Sequence, residues 1–583
     1  MTHNFDNTCS RFTLIGSTLA CLLLAGCQPE PRPRPRTQTK DEPAQEHLLK
    51  GIDYLNRLDE LEYSIALGQA KYSFDRWLGE HEPDPQWQPD PMTKRGSRDV
   101  RESGILNDLG DWALTFGDMQ AVQEAVWLRD ISRWVSQKQP NTRLQAWLDE
   151  PADRLSELEV EELLIAERLF DWTIRNIQLD RTLAYPEQTV APGTGDASTA
   201  QRRVPPPQQG IPGPGYQFPP RETLLYGHGD ILQRSRVFIE LGRQQGLDIV
   251  FLAFPGRAVP PRPKPWLTAA AIGNELFLFD CELGLPIPGP DGIGIATLTQ
   301  VLTDPEVLDI LDSSERDYGP TPEELKEILA LIDAAPSTLS QRMKLVEENL
   351  AAEQRTILTV APSAIADRVK KMEGISDAVL WSVPFETLWF QAELPKLVAA
   401  SPENTWQYQQ AFGVFQGHGA LVQARHLHFR GSFEERGDLP GAKTLYMRCR
   451  LPNTALNELE SSPEVQKRLG MRQGEREGDF MWKDRLARTK FFQTQAKQHA
   501  SYWLGLVQFD DGNLEAAAAW FKDRTLELSP NGPWTAGARY NLARTYEALG
   551  DYQQARELYL EDDSPQQHGN LIRAKLLTRE TAD

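Results

Sequence analysis

A helix with well-defined ends is the clearest hydrophobic pattern in the chain. Its apolar positions recur at the spacing of one helical face: Val237, Phe238 and Leu241. Asp230 precedes them, and Gln233 stands three positions later, a pair that can cap the first helical turn reciprocally. Gly246 follows the last apolar position and suits the left-handed conformation that closes many helices. The pattern therefore predicts a helix from about Asp230 to Gly246.

A buried strand and a hairpin are predicted directly after this helix. Residues 249–254 form an unbroken apolar run, which is typical of a strand covered on both faces. Residues 267–272 and 275–279 flank Gly273-Asn274, a two-residue sequence typical of a tight hairpin turn. The predicted order is helix, strand and hairpin.

This order of elements resembles the core of the transglutaminase-like (papain-like cysteine peptidase) superfamily. Arg243 and Gly246 stand near the helix end, and Asp280 follows the hairpin, as in the motif of that superfamily. The resemblance covers roughly residues 155–290, and the pattern at 166–179 is similar to the helix that precedes the core. It implies an α+β fold around a short sheet.

The same resemblance argues against catalysis. It implies a Cys at the helix start, a His at the next strand and an Asp after the hairpin, and these positions fall on Leu232, Pro265 and Asp280. Leucine has no nucleophile and proline cannot accept a proton, so two of three catalytic positions are degenerate. A rearranged site that uses His228 or Ser235 near the helix start is the alternative.

Tryptophan-rich helical patterns precede this region. Two stretches are helical in pattern: 47–78 and 104–147. Trp127 and Trp134 are seven positions apart and share a helix face, which is typical of a core stripe. A groove for carbohydrate or peptide is the alternative. Ser156 and Glu159 form a capping box that begins the helix leading into the sheet region.

Helical and β-rich stretches alternate after the hairpin. Residues 297–350 are helical in pattern, most clearly 321–332, where Thr-Pro-Glu-Glu suits a helix start. Residues 356–360 and 378–383 predict strands on either side of a helix at 363–372.

Two further strands are predicted at 421–429 and 443–450. On the first, His426 and His428 would share one face, a spacing that occurs in metal sites. The sequence offers no third ligand, so we interpret both as exposed or stacked histidines and predict no metal and no cofactor.

The C-terminal region carries a repeated pattern that resembles the tetratricopeptide repeat over about residues 500–560. Small residues recur where paired helices approach closely: Gly505, Ala517, Ala543 and Ala555. Gly512 and Gly550 are further apart than the usual period of about 34 residues, which indicates an insertion at 531–534. A capping helix is predicted at 570–577, and a plain helical bundle is the alternative. The resemblance implies a surface for a protein or peptide partner, with these candidate binding residues: Leu504, Phe521, Tyr546 and Tyr559.

The N-terminus resembles a bacterial lipoprotein signal. Residues 14–25 are apolar but too few to span a bilayer, and they run into Leu24-Ala25-Gly26-Cys27, which is similar to a lipobox. The resemblance implies cleavage before Cys27 and palmitate-type acyl chains on it, which would hold the chain at a membrane. An ordinary secretory signal is the alternative. The Pro-Arg alternation of residues 28–36 is typical of an extended tether.

The charge and cysteine content of the chain limit the classes of partner and of covalent cross-link. The chain has 583 residues and a net charge of −21, which disfavours nucleic acid. Of its five cysteines, Cys281 and Cys449 lie beyond the N-terminal motif. Cys281 is interpreted as a small buried apolar residue, and the sequence leaves a disulfide between the two open.

These patterns predict a mostly helical α+β protein with a division into six regions. The predicted regions are a signal peptide at 1–26, a Pro-rich tether at 27–45, helices at 46–150, a transglutaminase-like domain at 151–300 with a low-complexity insertion at 186–220, a mixed α/β region at 301–495 and repeats at 496–583. The predicted function is a lipid-anchored, protein-binding scaffold of the cell envelope, with outer-membrane retention implied by Gln28. An atypical envelope peptidase, amidase or acyl-transfer enzyme is the alternative.

Overall fold

A central sheet covered by helices on both faces organises the fold. The computed structural model describes residues 42–57, 63–139, 141–149, 155–181, 217–256, 262–313, 317–417 and 419–580. The predicted signal peptide, Cys27 and most of the insertion at 186–220 lie outside these residues. In the described part of the chain, no helix combines the length and the apolar character that crossing a membrane requires.

Most of the N-terminal helices pack against one face of the sheet region, whereas α3 joins the core on the opposite face through Val100. They are α1 Glu42–Asn56, α2 Tyr63–Leu78, α3 Arg98–Glu102, α4 Phe116–Val135, α5 Thr142–Asp149 and α6 Glu157–Asn176. The predicted capping box of Ser156 and Glu159 begins α6, with both reciprocal hydrogen bonds formed. On α4, Trp127 is buried and the Trp134 indole N–H donates to the Phe429 carbonyl at 2.9 Å. The tryptophan stripe is therefore packing surface, as its spacing favoured.

The predicted helix, strand and hairpin are all present. A parallel pair, β1 Gln178–Leu179 and β2 His228–Gly229, flanks α7 Pro220–Tyr226. The helix is α8 Ile231–Gln244, capped by Asp230 and Gln233. The sheet consists of β3 Asp248–Phe254, β4 Lys264–Ile272, β5 Glu275–Asp280, β6 Leu285–Pro286, β7 Ile328–Ile332 and β8 Ile375–Leu380. Gly273 has a φ of +57° in the hairpin turn, where a side chain would be strained.

Both faces of the sheet are buried. The strand order is β6-β5-β4-β3-β7-β8, and neighbours are antiparallel except for the parallel pair β7 and β8. Along β3, Phe251 joins the core beneath α4, α6 and α8, whereas its neighbours Val250 and Leu252 join the core on the opposite face. Alternate side chains of a strand point to opposite faces, so an unbroken apolar run is what such a strand needs.

The region after the hairpin differs from its prediction at residues 321–332. The capping interaction of the predicted helix start is present, since Glu324 N donates to Thr321 Oγ1 and Glu324 Oε2 accepts from Thr321 N. It continues only as one short 3₁₀ turn, Glu324–Lys326, and the chain then enters β7. Hydrogen bonding to β3 on one side and β8 on the other outweighs local helix propensity.

A second correction concerns residues 356–360, which belong to no strand. Side chains take the place of a neighbouring strand: Glu347 Oε2 accepts from Leu358 N at 2.6 Å and from Thr359 N at 2.7 Å. Gln244 Oε1 likewise accepts from Ile357 N at 3.1 Å. The predicted helix at 363–372 is confirmed as Pro362–Val369, and the predicted strand at 378–383 overlaps β8 only at 378–380.

A third correction concerns the two predicted strands at 421–429 and 443–450, which are helices. The helices between the hairpin and Arg468 are α9 Leu298–Thr303, α10 Gln341–Glu348, α11 Pro362–Val369, α12 Val383–Ala399, α13 Pro402–Gly417, α14 Gly419–Phe429, α15 Ala442–Arg448, α16 Asn453–Glu458 and α17 Pro463–Arg468. Leu421, Ala424, Arg425 and His428 are buried, which is the spacing of a helix face rather than the alternation of a strand.

His426 and His428 consequently do not share a face. Residues two apart on a helix point in widely different directions. His426 packs on the Trp127 ring with a centroid distance of 4.4 Å, and His428 contacts Asp510. Within the described ranges, no group of three or more His, Cys, Asp or Glu side chains is placed to hold a metal ion.

The C-terminal helices form an array of antiparallel neighbours. They are α18 Asp479–Asp510, α19 Leu514–Phe521, α20 Thr535–Leu549, α21 Tyr552–Leu560 and α22 Gln567–Glu580, with a π-helical turn at Lys522–Leu526. A Cβ atom on Gly505 would lie 2.5 Å from the Phe521 ring, so a small residue is required there. The predicted capping helix is confirmed as α22.

Candidate functional site

Asp280 is a buried carboxylate that ends β5 and is held by three donors. Its Oδ1 accepts from Glu282 N at 2.7 Å and from Leu283 N at 2.9 Å, which shapes the turn after the strand. Its Oδ2 accepts from the Tyr318 hydroxyl at 2.6 Å. Burial outweighs these donors and raises the pKa of Asp280 to about 6. Tyr318, which the sequence did not single out, is therefore the side-chain partner of this carboxylate.

The other two positions implied by the transglutaminase-like resemblance carry no chemistry here. Leu232 lies in the first turn of α8, half-buried against the core. Pro265 is exposed near the start of β4, opposite Ala253. Cys281 follows Asp280, and burial raises the pKa of its thiol to about 11. A thiol that stays protonated at neutral pH is a poor nucleophile. Cys281 and Cys449 are both buried, and neither forms a disulfide with a described residue.

His228 forms an ion pair with Asp180, not with Asp280. Its Nδ1 lies 2.6 Å from Asp180 Oδ2. Burial of the ring opposes its charge, but the Asp180 carboxylate outweighs burial and raises the pKa of His228. The Ser235 side chain, the other member of the alternative site, is fully buried on α8. The described structure thus pairs His228 with an acid that no sequence pattern marked.

Arg234 joins the sheet region to the C-terminal helices. This buried guanidinium donates to the Cys281 carbonyl at 2.9 Å, to the Ile174 carbonyl at 2.8 Å and to Gln566 Oε1 at 2.7 Å. Gln566 stands just before α22 and donates in turn to the Leu283 carbonyl. The turn after β5, the end of α6 and the start of α22 therefore meet at one side chain.

Asp510, at the end of α18, is the centre of a second buried junction. It accepts from Arg175 at 3.0 Å, from Lys138 at 3.2 Å and from His428 at 3.1 Å. Burial alone would raise the pKa of Asp510, but these partners, Lys138 first, hold it well below its usual range. Arg425 can only donate to His428 Nδ1, so the neutral ring carries its proton on Nε2 and donates it to Asp510. Burial lowers the pKa of His428 to about 4, which keeps the ring neutral at pH 7.

The four predicted binding residues lie inside the repeat array. Leu504, Phe521 and Tyr559 are buried, and Tyr546 is half-buried. They fill the space between paired helices, as Gly505 against Phe521 shows. The three buried side chains are therefore not accessible to a partner in this structure.

A pocket of about 130 Å³ opens beside α18 and α19, the first helix pair of the array. Helix α18, the end of the π-helical turn, the loop before α20 and helix α16 enclose it. Its lining includes Lys497, Ser501, Arg524, Leu528, Ser529 and Trp534. Trp534 is buried, and its indole N–H donates to His499 Nδ1 at 3.0 Å, which fixes the loop that forms one wall. The sequence marked this loop only as an insertion.

The comparisons with known proteins single out this same C-terminal array. The family model of the tetratricopeptide repeat matches residues 498–522 and 536–561. These are the end of α18 with α19, and α20 with α21, so each match is one antiparallel helix pair. No curated protein matches the chain, and no solved structure matches it.

Proposed function

We propose that this protein is a membrane-anchored scaffold of the bacterial envelope that binds a protein partner through its C-terminal repeats. The observation that carries the proposal is the tetratricopeptide-repeat match at 498–522 and 536–561. Arrays of this kind bury a shared core and leave an extended surface for a peptide or protein. The open pocket beside the first helix pair lies on that array.

We propose further that the sheet region is a degenerate transglutaminase-like unit that supports the repeats. The order α8, β3, β4 and β5 supports this, with Arg234 in the first turn of α8 bonded to the carbonyl that follows Asp280. Leu232 and Pro265 stand where that family would need a nucleophile and a base. In this proposal the unit contributes shape and attachment, and Arg234 and Asp510 tie it to the C-terminal helices.

The proposed anchor is a lipid on Cys27. Replacing this residue, Cys27→Ser, should abolish incorporation of radiolabelled palmitate and move the protein from the membrane fraction to the soluble fraction, because the thiol is the only acceptor in the lipobox-like motif. Cys21→Ser, in the apolar stretch before the motif, is the matched control and should keep the label. Wild-type protein that takes up no palmitate would refute the anchor.

The scaffold role is tested by site-specific photo-crosslinking of the full-length chain in cells that produce it. A photoreactive residue at Leu528, which is 49% exposed and lines the pocket, should yield a discrete adduct with one protein. A second position, Ala548, samples the exposed side of α20. Mass spectrometry of the adduct identifies the partner.

Glu373 is the control position. It is exposed between α11 and β8, in the sheet region. We expect no adduct with the same protein from Glu373. An adduct formed equally from all three positions, or from Glu373 alone, would locate the partner elsewhere and contradict the proposal.

A further inference from the structure

Three cationic side chains converge on the pocket beside the first helix pair. Lys497 and Arg524 line it, and Arg450 lies within electrostatic reach of both. Arg450 is held in place, since its Nε donates to Ser501 Oγ at 2.9 Å and its guanidinium lies 4.5 Å from the centre of the Trp520 ring. These cations come from three separate elements, so the fold brings them together.

No carboxylate of the described residues balances this charge. Lys497 donates to the Leu451 carbonyl at 2.8 Å and to Asn453 Oδ1, both neutral acceptors. Burial first, and then a neighbouring cation, lowers the pKa of both Arg450 and Lys497, and only the second cause is repulsion between positive charges. Asp523 and Glu527 flank Arg524 in the chain, but both are exposed and neither forms an ion pair with it.

Three cations close together at an open cavity differ from the paired cations of the buried junctions. The chain carries 83 acidic against 62 basic residues, so cations readily find partners. Several buried arginines of other junctions have carboxylate partners, as Arg175 has Asp510, Arg236 has Asp333 and Arg342 has Asp118, whereas Arg234 donates to carbonyl and amide oxygens. A cluster of cations without an acid among the described residues, at an open cavity in an acidic protein, leaves the acid to be supplied from outside.

The size of the cavity limits what can supply it. About 130 Å³ is close to the roughly 150 Å³ that holds a benzene-sized molecule. This suits a carboxylate-bearing side chain or chain end and is smaller than the roughly 300 Å³ or more of ordinary cofactor pockets. The lining also contains the apolar groups of Leu456, Leu528 and Trp534, against which the stem of such a side chain can pack.

We propose that this pocket receives a carboxylate of an acidic peptide segment in the protein partner. The inference rests on the proposed scaffold function and adds the chemistry of the partner to it. Arg524 is the side chain with the clearest freedom to bind, because it is exposed and makes no hydrogen bond or ion pair with another described residue. Its planar guanidinium can donate two parallel hydrogen bonds to one carboxylate.

The test measures binding of a fluorescein-labelled hexaglutamate peptide to the full chain in detergent micelles by fluorescence polarisation. Arg524→Gln should weaken binding about ten-fold, the effect of losing one charge-assisted contact. Arg524→Lys keeps the charge and should recover part of that loss. Lys522→Gln is the matched control, since it removes an exposed cation two positions away that does not line the pocket, and it should change binding less than about two-fold.

Three further arms separate the sources of affinity. A hexaglutamine peptide should not bind, and raising the salt concentration should weaken hexaglutamate binding. Amidation of the peptide end distinguishes a terminal carboxylate from side-chain carboxylates. The proposal that this pocket binds a carboxylate would be overturned by equal losses for Arg524→Gln and Lys522→Gln, or by no binding of hexaglutamate to the wild type. Crosslinks from Leu528 that persist undiminished in Arg524→Gln would overturn it too while leaving the scaffold function standing.

Discussion

Replacing Asp510 with alanine should lower the free energy of local opening at the end of α18 by about 3–5 kcal/mol, the usual cost of breaking a buried ion pair. The variant leaves Arg175 and Lys138 without their shared carboxylate, and Arg175 is only 3% exposed. Hydrogen exchange of peptides covering residues 500–510 measures this opening directly. The depressed pKa of Asp510 means that its stabilisation is fully present above about pH 4 and is lost only in stronger acid, so pH 7 reports all of it.

Asp511→Ala is the matched control for this experiment. Asp511 is the next residue and also forms an ion pair, with Lys443 at 2.7 Å, but its side chain is 31% exposed. Exposed pairs typically contribute less than about 1 kcal/mol. If both variants raise exchange by the same small amount, Asp510 is not the tie between α18 and the helices α4, α6 and α14.

Replacing Arg234 with methionine should lower the free energy of local opening at α22 by about 2–4 kcal/mol. Each of the three acceptors that lose this donor costs roughly 1–3 kcal/mol if it stays buried and unpaired. The loss is partly offset, because methionine removes a buried charge that has no carboxylate partner among the described residues and whose pKa burial lowers. The expected readout is faster hydrogen exchange of peptides covering residues 567–580.

The control for Arg234→Met is Arg556→Met on α21. Arg556 is exposed, and its Nε donates to Thr578 Oγ1 at 3.0 Å, so its replacement should change exchange by less than about 0.5 kcal/mol. Unchanged protection of α22 in Arg234→Met would show that Gln566, through its own bonds to the Leu283 and Glu282 carbonyls, is sufficient to hold the helix.

The sequence predicted the elements whose local signals agree with their tertiary setting. One conformation satisfies both the local sequence preference and the tertiary contacts in three places: the Asp230–Gln233 cap, the apolar run of β3 and the Gly273-Asn274 turn. The tetratricopeptide pattern was visible for the same reason, since Gly505 is demanded by its contact with Phe521.

Prediction failed where distant contacts decided the conformation. A helix-start signal stands just before residues 328–332, yet their backbone pairs with strands β3 and β8. Residues 421–429 alternate well enough to suggest a strand, yet burial of Arg425 and His428 beside Asp510 requires a helix. The partners lie tens of residues or more away in the chain, so no local window contains them.

The candidate site divides in the same way. The repeats could be located from sequence, but three of the residues that the pattern predicts to bind, Leu504, Phe521 and Tyr559, are buried because they form the core of the repeat. Lys497 and Arg524 belong to no motif. Only the folded chain brings them to one cavity, at the loop that the sequence marked as an insertion.

Photo-crosslinking from Leu528 is the measurement that decides whether the repeats are a docking surface. We expect one discrete protein adduct from Leu528, a partner rich in aspartate and glutamate at the crosslinked segment, and no such adduct from Glu373. Adducts of the same protein from Glu373 with none from Leu528 would contradict the assignment of partner binding to the repeats.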